Sequence, residues 1–364
     1  RGNGNMTYLT SKVTSDDFIF YPDSANTKTT AFEIQKLNQT VQYPEVKAEK
    51  VYVHWMPYLD ELTASTIEKP FAMYGNKATH MGSLYYNPKN LTGKGNTSYN
   101  NGTLSSNHYN YQADRFTSDT ANFKLNSFNE GMLALVTENL NTQVDFILMK
   151  SSFRSNQGAS KVELPENLYQ AYIEKITWMM GKKEMQLSTP NTVQVYEHGQ
   201  NRIVTRDEAG LKPKGSLFVS VHKGQDSLNW VYNEADFNLE NNIISANQVK
   251  YIEVADATIF PFEGEVTIEP MAYMRTLSKA EVLANNDTKY HRLNSCTINI
   301  SSRKLYHGQG KYSYMDELGK QYAINFDLIA VDSLGNSFGR GKVKGIEDFS
   351  LSPAFKFQGN VSFY

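Results

Sequence analysis

Seven histidines, one cysteine and a few neighbouring carboxylates are the residues of this chain best equipped for chemistry. His54, His80, His108, His198, His222, His291 and His307 occur singly, with no HxH, HxxxH or HExxH spacing, so a metal site has no footprint here. His54, inside VYVHW, reads as a packed sheet residue. His291 (TKYHRL) and His307 (LYHGQG) sit beside turns, where hydrogen bonding is the ordinary role. A single cysteine, Cys296, excludes an intrachain disulfide and a cysteine-based metal cluster. The alternating run SCTINI makes it a small buried apolar residue.

Carboxylates fall in closely spaced pairs at Asp60/Glu61, Glu253/Asp256, Glu263/Glu265 and Glu347/Asp348. Each pair could line a groove, as a glycosidase or polysaccharide lyase requires, but acidic residues at strand ends are ordinarily solvated turns. Trp55, Trp178 and Trp230 have faces that stack on sugar rings, yet all three lie in alternating runs and read as core. Gly93-Lys94-Gly95 resembles the end of a phosphate loop. Pro88 occupies the earlier glycine position, however, and Gly95 follows the lysine where Ser or Thr is needed. GRGKVKG at 339–345 is not GxGxxG, and both runs read as turns. No GxSxG elbow is present. The sequons at Asn90, Asn96, Asn101 and Asn286 arise readily in an Asn-rich chain and matter only in a eukaryotic secreted protein. The residues therefore assign no catalytic, metal or cofactor-binding position and imply no cofactor.

Bulk properties narrow the class further. A net charge of −2 lacks the cations of a nucleic-acid binder. Forty per cent hydrophobic and 12 per cent aromatic residues are enough for a packed core, and 23 Tyr with 19 Phe favour strands. No apolar run approaches the roughly 20 residues of a membrane helix. The strand patterns are shorter and less regular than those of an outer-membrane barrel.

The elements that must position these groups read as β throughout. Between Asn242 and Leu283, Val249/Tyr251, Val254, Ala257/Ile259, Val266/Ile268, Ala272/Met274 and Ala280/Val282 follow the period of two of half-buried strands. Single polar or kinking residues separate them. Ala121/Phe123/Leu125 and Ala235/Phe237/Leu239 look like variants of one device, an acidic turn before an Ala-x-Phe-x-Leu strand. The Asn/Gly/Ser-rich run from Asn87 to Asn107 marks turns and tight corners. Residues 164–187 admit a helix sharing Leu168, Tyr172, Ile176 and Met180, or a hairpin across GKKE. The β surroundings favour the hairpin. Ala235, Ala257 and Ala280 recur 22 and 23 residues apart, near the roughly 20–25 of a three-strand coil, and the spacing shrinks to 16 at Cys296. Two-residue Asn-Gly turns are scarce. The pattern thus predicts an all-β chain: a β-solenoid or folded-over β-jellyroll-like stack over 1–364, with tandem β-sandwich domains as the alternative. A join near 150–165 is the one candidate boundary.

The phrases YPEVKAEKVYVHWMPY (43–58), LTGKGNTSYNNGTLSSNHYNYQADRFTSDTANFKL (91–125), VKYIEVADATIFPFEGEVTI (249–268) and FSLSPAFKFQGNV (349–361) resemble a family of very long, uncharacterised all-β cell-envelope proteins of Bacteroidota-type Gram-negative bacteria. The resemblance covers most of the chain, and its motifs are strand and turn spacings with no site residue to carry over. It implies export to the periplasm, outer membrane or cell surface. A start without Met and an end in strand pattern suggest an internal segment of a longer protein. The expected role is a non-enzymatic structural or binding segment, with partners among other envelope proteins, the remainder of its own chain, or a glycan or lipid. The rivals are a carbohydrate-active enzyme on a β-helix and a lipid- or lipopolysaccharide-handling jellyroll.

Overall fold

A computed structural model describes residues 1–129, 131–189, 192–197, 200–205, 215–285, 291–343, 349–352 and 355–364. Among them are 37 strands and four three-residue 3-10 helices, with no α-helix. The all-β reading holds. The chain forms two compact units: Arg1–Val162 with Glu174–Met185, and Glu163–Ile173 with Gln186–Tyr364.

In the first unit a meander runs through Ala78–Tyr86, Leu91–Tyr99, Gly102–Tyr111, Arg115–Asn126, Leu133–Asp145 and Lys150–Ser155, each strand antiparallel to the next. These strands are long because β-bulges allow them to bend without breaking. In Gly102–Tyr111 the buried positions are Gly102 and Leu104, then Tyr109 and Tyr111, so the inward parity switches midway. Arg115–Asn126 switches between Ser118 and Ala121, and Leu133–Asp145 between Thr137 and Leu140. Read without the bulges, one twelve-residue strand looks like two short ones. The Asn87–Asn107 run is accordingly not a string of corners. It forms most of two strands, and Gly93-Lys94-Gly95 lies inside one of them at a bulge. Gly102 is the first residue of a strand, after the turn Asn100-Asn101. A Cβ there would stand 2.8 Å from the Phe123 ring, so its glycine serves packing. The core is aromatic: Tyr74 and Phe146 approach to 4.5 Å, as do Phe123 and Phe153, and Trp178 lies against Tyr99.

In the second unit Tyr169–Ile173, Ser216–Ser220 and Asn229–Tyr232 pair in that order, and Glu234–Asn238, Ile243–Asn247 and Val266–Ile268 pair likewise. An eight-stranded antiparallel sheet follows chain order from Ile252–Val254 to Gly359–Phe363. Phe218 stacks on Tyr232 at 4.2 Å, and Tyr169 meets Trp230 edge-on.

The described registers are all antiparallel, joining strands by hairpins and meanders. Coil-on-coil parallel pairing, which a β-helix would need, is not among them. The hairpins escape a search for Asn-Gly because other residues take the left-handed turn positions: Leu9 (φ 50°), Asn100 (φ 47°) and Ala255 (φ 53°). Over 164–187 the chain is strand, with Tyr169–Ile173, Lys175–Met179 and Glu184–Ser188, and a 3-10 turn over Met180–Lys182. The helical reading fails there because Leu168 is left-handed (φ 53°) and Tyr172 faces outward.

Candidate functional site

The second unit holds a cleft of about 460 Å³ between two strands that end their sheets. One is Asn229–Tyr232, which sends Trp230 and Tyr232 into the core and Asn229 and Val231 outward. The other is Ile252–Val254, with Ile252 and Val254 buried and Glu253 outward. In the described registers each pairs on one edge alone, with Ser216–Ser220 and Ala257–Phe260 respectively. The segment leading into the second strand supplies Gln248, Lys250 and Tyr251.

Arg303 closes the cleft from a turn between Ser302 and Leu305. Its backbone is held on both sides. The Arg303 N–H donates to the Gln225 carbonyl at 3.0 Å, and the Arg303 carbonyl accepts from the Ala255 N–H at 2.9 Å. Gln225 is itself fixed in the core, donating through Nε2 to the Ala272 carbonyl at 2.7 Å and accepting from the Tyr169 hydroxyl at 3.0 Å. Next door, Lys304 is paired with Asp226 at 2.7 Å. The guanidinium of Arg303 and the ammonium of Lys250 have no carboxylate in ion-pair contact among the described residues, and both are exposed.

Tyr251 is 47% exposed, and its ring is steadied by Phe260 with centroids 6.4 Å apart at 62°. Asn233 donates through Nδ2 to Gln248 Oε1 at 2.7 Å, which fixes one amide pair on the wall. An aromatic face, planar amides and two unneutralised cations beside one carboxylate form a surface for a ring-shaped, hydroxylated and acidic ligand.

The first unit has a shallower groove of about 700 Å³ across the bulged strands, lined by Gly, Ser, Thr and Asn with Lys94. Several of its polar groups already bond one another, as Ser105 does with Asn96 and the Ser106 hydroxyl with the Thr120 carbonyl. It offers no aromatic face, so the second-unit cleft is the stronger candidate.

The residues singled out in the sequence lie mostly elsewhere. His80 is fully buried, its Nδ1 within 3.0 Å of both Thr97 Oγ1 and the Tyr111 hydroxyl, and burial pushes its pKa down to about 4. His54 sits in its strand bonded to Asn26, and His222 accepts from the Gly224 N–H. His291 stacks on Phe363 at 4.5 Å; His108 and His307 are exposed strand residues. No group of three or more His, Cys, Asp and Glu suited to a metal occurs among the described residues.

Of the carboxylate pairs, Glu253 lines the cleft while Asp256 turns to Ser337, accepting from its N–H at 2.9 Å. Asp60 accepts from the Tyr8 hydroxyl; Glu263 lies within a 3-10 turn and Glu265 follows it as its C-cap. Trp178 and Trp230 are core residues and Trp55 is half-buried. Gly339–Val343 of GRGKVKG is strand, its two glycines leaving room for the rings of Phe326 and Phe363. His198, Asn286, Glu347, Asp348 and the last two residues of GRGKVKG lie outside the described residues.

Two cleft residues were not legible. Tyr251 reads as the inward partner of Val249, whereas only Val249 is buried. Arg303 carries no motif, and its one signal is the polar SSRK break between two alternating runs. No family model, curated protein or solved structure matches this chain.

Proposed function

We propose that this chain is a non-enzymatic binding segment of a large exported cell-envelope or surface protein, and that it holds glycan in the second-unit cleft. The observation that carries the reading is the exposed ring of Tyr251 beside the amides of Asn229, Asn233 and Gln248. A sugar presents apolar C–H faces and a rim of hydroxyls. An aromatic platform covers the first, and amides donate to and accept from the second. The cleft volume lies in the range of small-ligand sites. Export, and partners among envelope proteins or the rest of a longer chain, rest on the resemblance of the strand phrases. Against a two-carboxylate hydrolase stands the lining, in which Glu253 is the one carboxylate among the described residues. A lipid-handling jellyroll would call for an apolar lining, and polar side chains dominate this one.

The experiment is retention on soluble and insoluble polysaccharides, comparing the chain with Tyr251→Ala. Retention weakened by the substitution supports the reading; no retention on any glycan overturns it.

One observation favours a second reading: Lys250, Tyr251 and Arg303 share the cleft, as basic groups and a phenol would in a polysaccharide lyase. There a base takes the C5 proton of a uronate, the C4–O bond breaks, and its electron pair leaves with the glycosidic oxygen as C4=C5 forms. Growth of ultraviolet absorbance from the unsaturated product during incubation with a polyuronate would install this reading in place of simple binding.

A further inference from the structure

We infer that the cleft selects acidic sugars, with Arg303 reading the acid group and Lys250 supporting it; this rests on the glycan reading above. Arg303 differs from the cation beside it in one decisive respect. Lys304 is paired with Asp226 at 2.7 Å, while Arg303 is in ion-pair contact with no carboxylate among the described residues. A guanidinium on a loose surface loop would mean little, but this one springs from a backbone clamped at both its N–H and its carbonyl. The clamp on the N–H side is Gln225, 8% exposed and bonded into the core. The clamp on the carbonyl side is the turn Ala255-Asp256, itself pinned by Ser337. The backbone that carries the guanidinium is therefore held before a ligand arrives, and a planar fork of donors is presented from a fixed base to a carboxylate or sulfate.

Glu253 shares the cleft and sets the balance at two cations against one carboxylate. That arrangement suits a sugar carrying one acid per ring rather than a dense polyanion. Tyr251 supports the ring and the amides take the hydroxyls, so the acid group is left to Arg303 and Lys250. Carboxylate and sulfate share this chemistry, and the probes below separate them.

The test measures affinity of the full chain for oligogalacturonate, a neutral glucan oligomer of equal length, a sulfated glucan and polyglutamate. Variants are Arg303→Gln, Tyr251→Ala and Lys124→Gln, the last an exposed cation of the first unit that controls for net charge. The expected result is preference for the acidic oligosaccharide. Arg303→Gln should weaken it about tenfold, the order of one charge-assisted hydrogen bond, with the neutral glucan unchanged. The dependence on salt should weaken with it, while Lys124→Gln matches the unsubstituted chain. Preference for uronate or for sulfate identifies which acid is read. Equal retention of acidic and neutral sugars, both lost in Tyr251→Ala, overturns acid selection and leaves the glycan reading standing. Equal retention of polyglutamate and oligogalacturonate, or no sugar bound at all, overturns both.

Discussion

The N–H of Ala255 donates to the carbonyl of Arg303 at 2.9 Å, so two tight turns from distant parts of the second unit brace each other. Ala255 sits at φ 53°, a left-handed position that costs a non-glycine residue about 1 kcal/mol and persists because its surroundings hold it. The adjacent Asp256 carboxylate accepts from the buried Ser337 N–H and hydroxyl, and Ser337 in turn meets the Tyr306 hydroxyl at 2.7 Å.

Removing that carboxylate should loosen the brace. Asp256→Ala strands the buried Ser337 N–H and should cost about 1–3 kcal/mol of unfolding free energy. Asp256→Asn keeps an acceptor oxygen and should lose less. Denaturant titration of both variants checks the ranking, and equal stabilities would refute the role given to the carboxylate.

Gly82 and Gly95 face each other in register across neighbouring strands, at φ 150° and 130°. A Cβ at Gly82 would stand 2.1 Å from the Lys94 carbonyl oxygen, and one at Gly95 would stand 2.2 Å from that of Met81. Backbone cannot move aside as a side-chain tip can. Gly82→Ala and Gly95→Ala should each cost about 3 kcal/mol or more, read as a lowered thermal midpoint or loss of folded protein.

His80 makes stability depend on pH. Burial lowers its folded pKa to about 4, whereas the unfolded side chain titrates near the ordinary value of about 6.5. The unfolded state thus binds the proton first as pH falls. The stabilising contribution is fully present above about 6.5 and is lost progressively toward 4. Unfolding free energy should drop about 3 kcal/mol more between these limits in the unsubstituted chain than in His80→Gln. Parallel curves for the two proteins would remove His80 as the source.

Cys296 is buried, and burial pushes its thiol up to about 12. It should resist thiol reagents in the native state at neutral pH and react at the rate of unfolding when denaturant is added. Rapid reaction with the folded protein would contradict its placement.

Opposite Cys296, a Cβ on Gly310 would lie 2.3 Å from its Sγ. Gly310→Ala should cost about 1–3 kcal/mol, and adding Cys296→Ala should recover part of that loss. A double variant no more stable than Gly310→Ala alone would show that the sulfur is not the obstacle.

The alternation of apolar residues was sufficient to establish that this chain is β, because burying one face of a pleat demands period two whatever the topology. It also located much of the core. Ala121, Phe123 and Leu125, their counterparts Ala235, Phe237 and Leu239, and Cys296 are all buried where the pattern puts them. Connectivity was beyond it. The bulges of Arg115–Asn126 change the parity of that strand without a marker residue, and the left-handed turns of Leu9, Asn100 and Ala255 carry none of the usual glycine. The cleft was beyond it too, since it brings Asn229, Tyr251 and Arg303 together from three separate stretches of chain. Whether Tyr251 faces core or solvent depends on where its strand begins and which edge meets which. Those choices are made by long-range packing, and only the folded chain contains them.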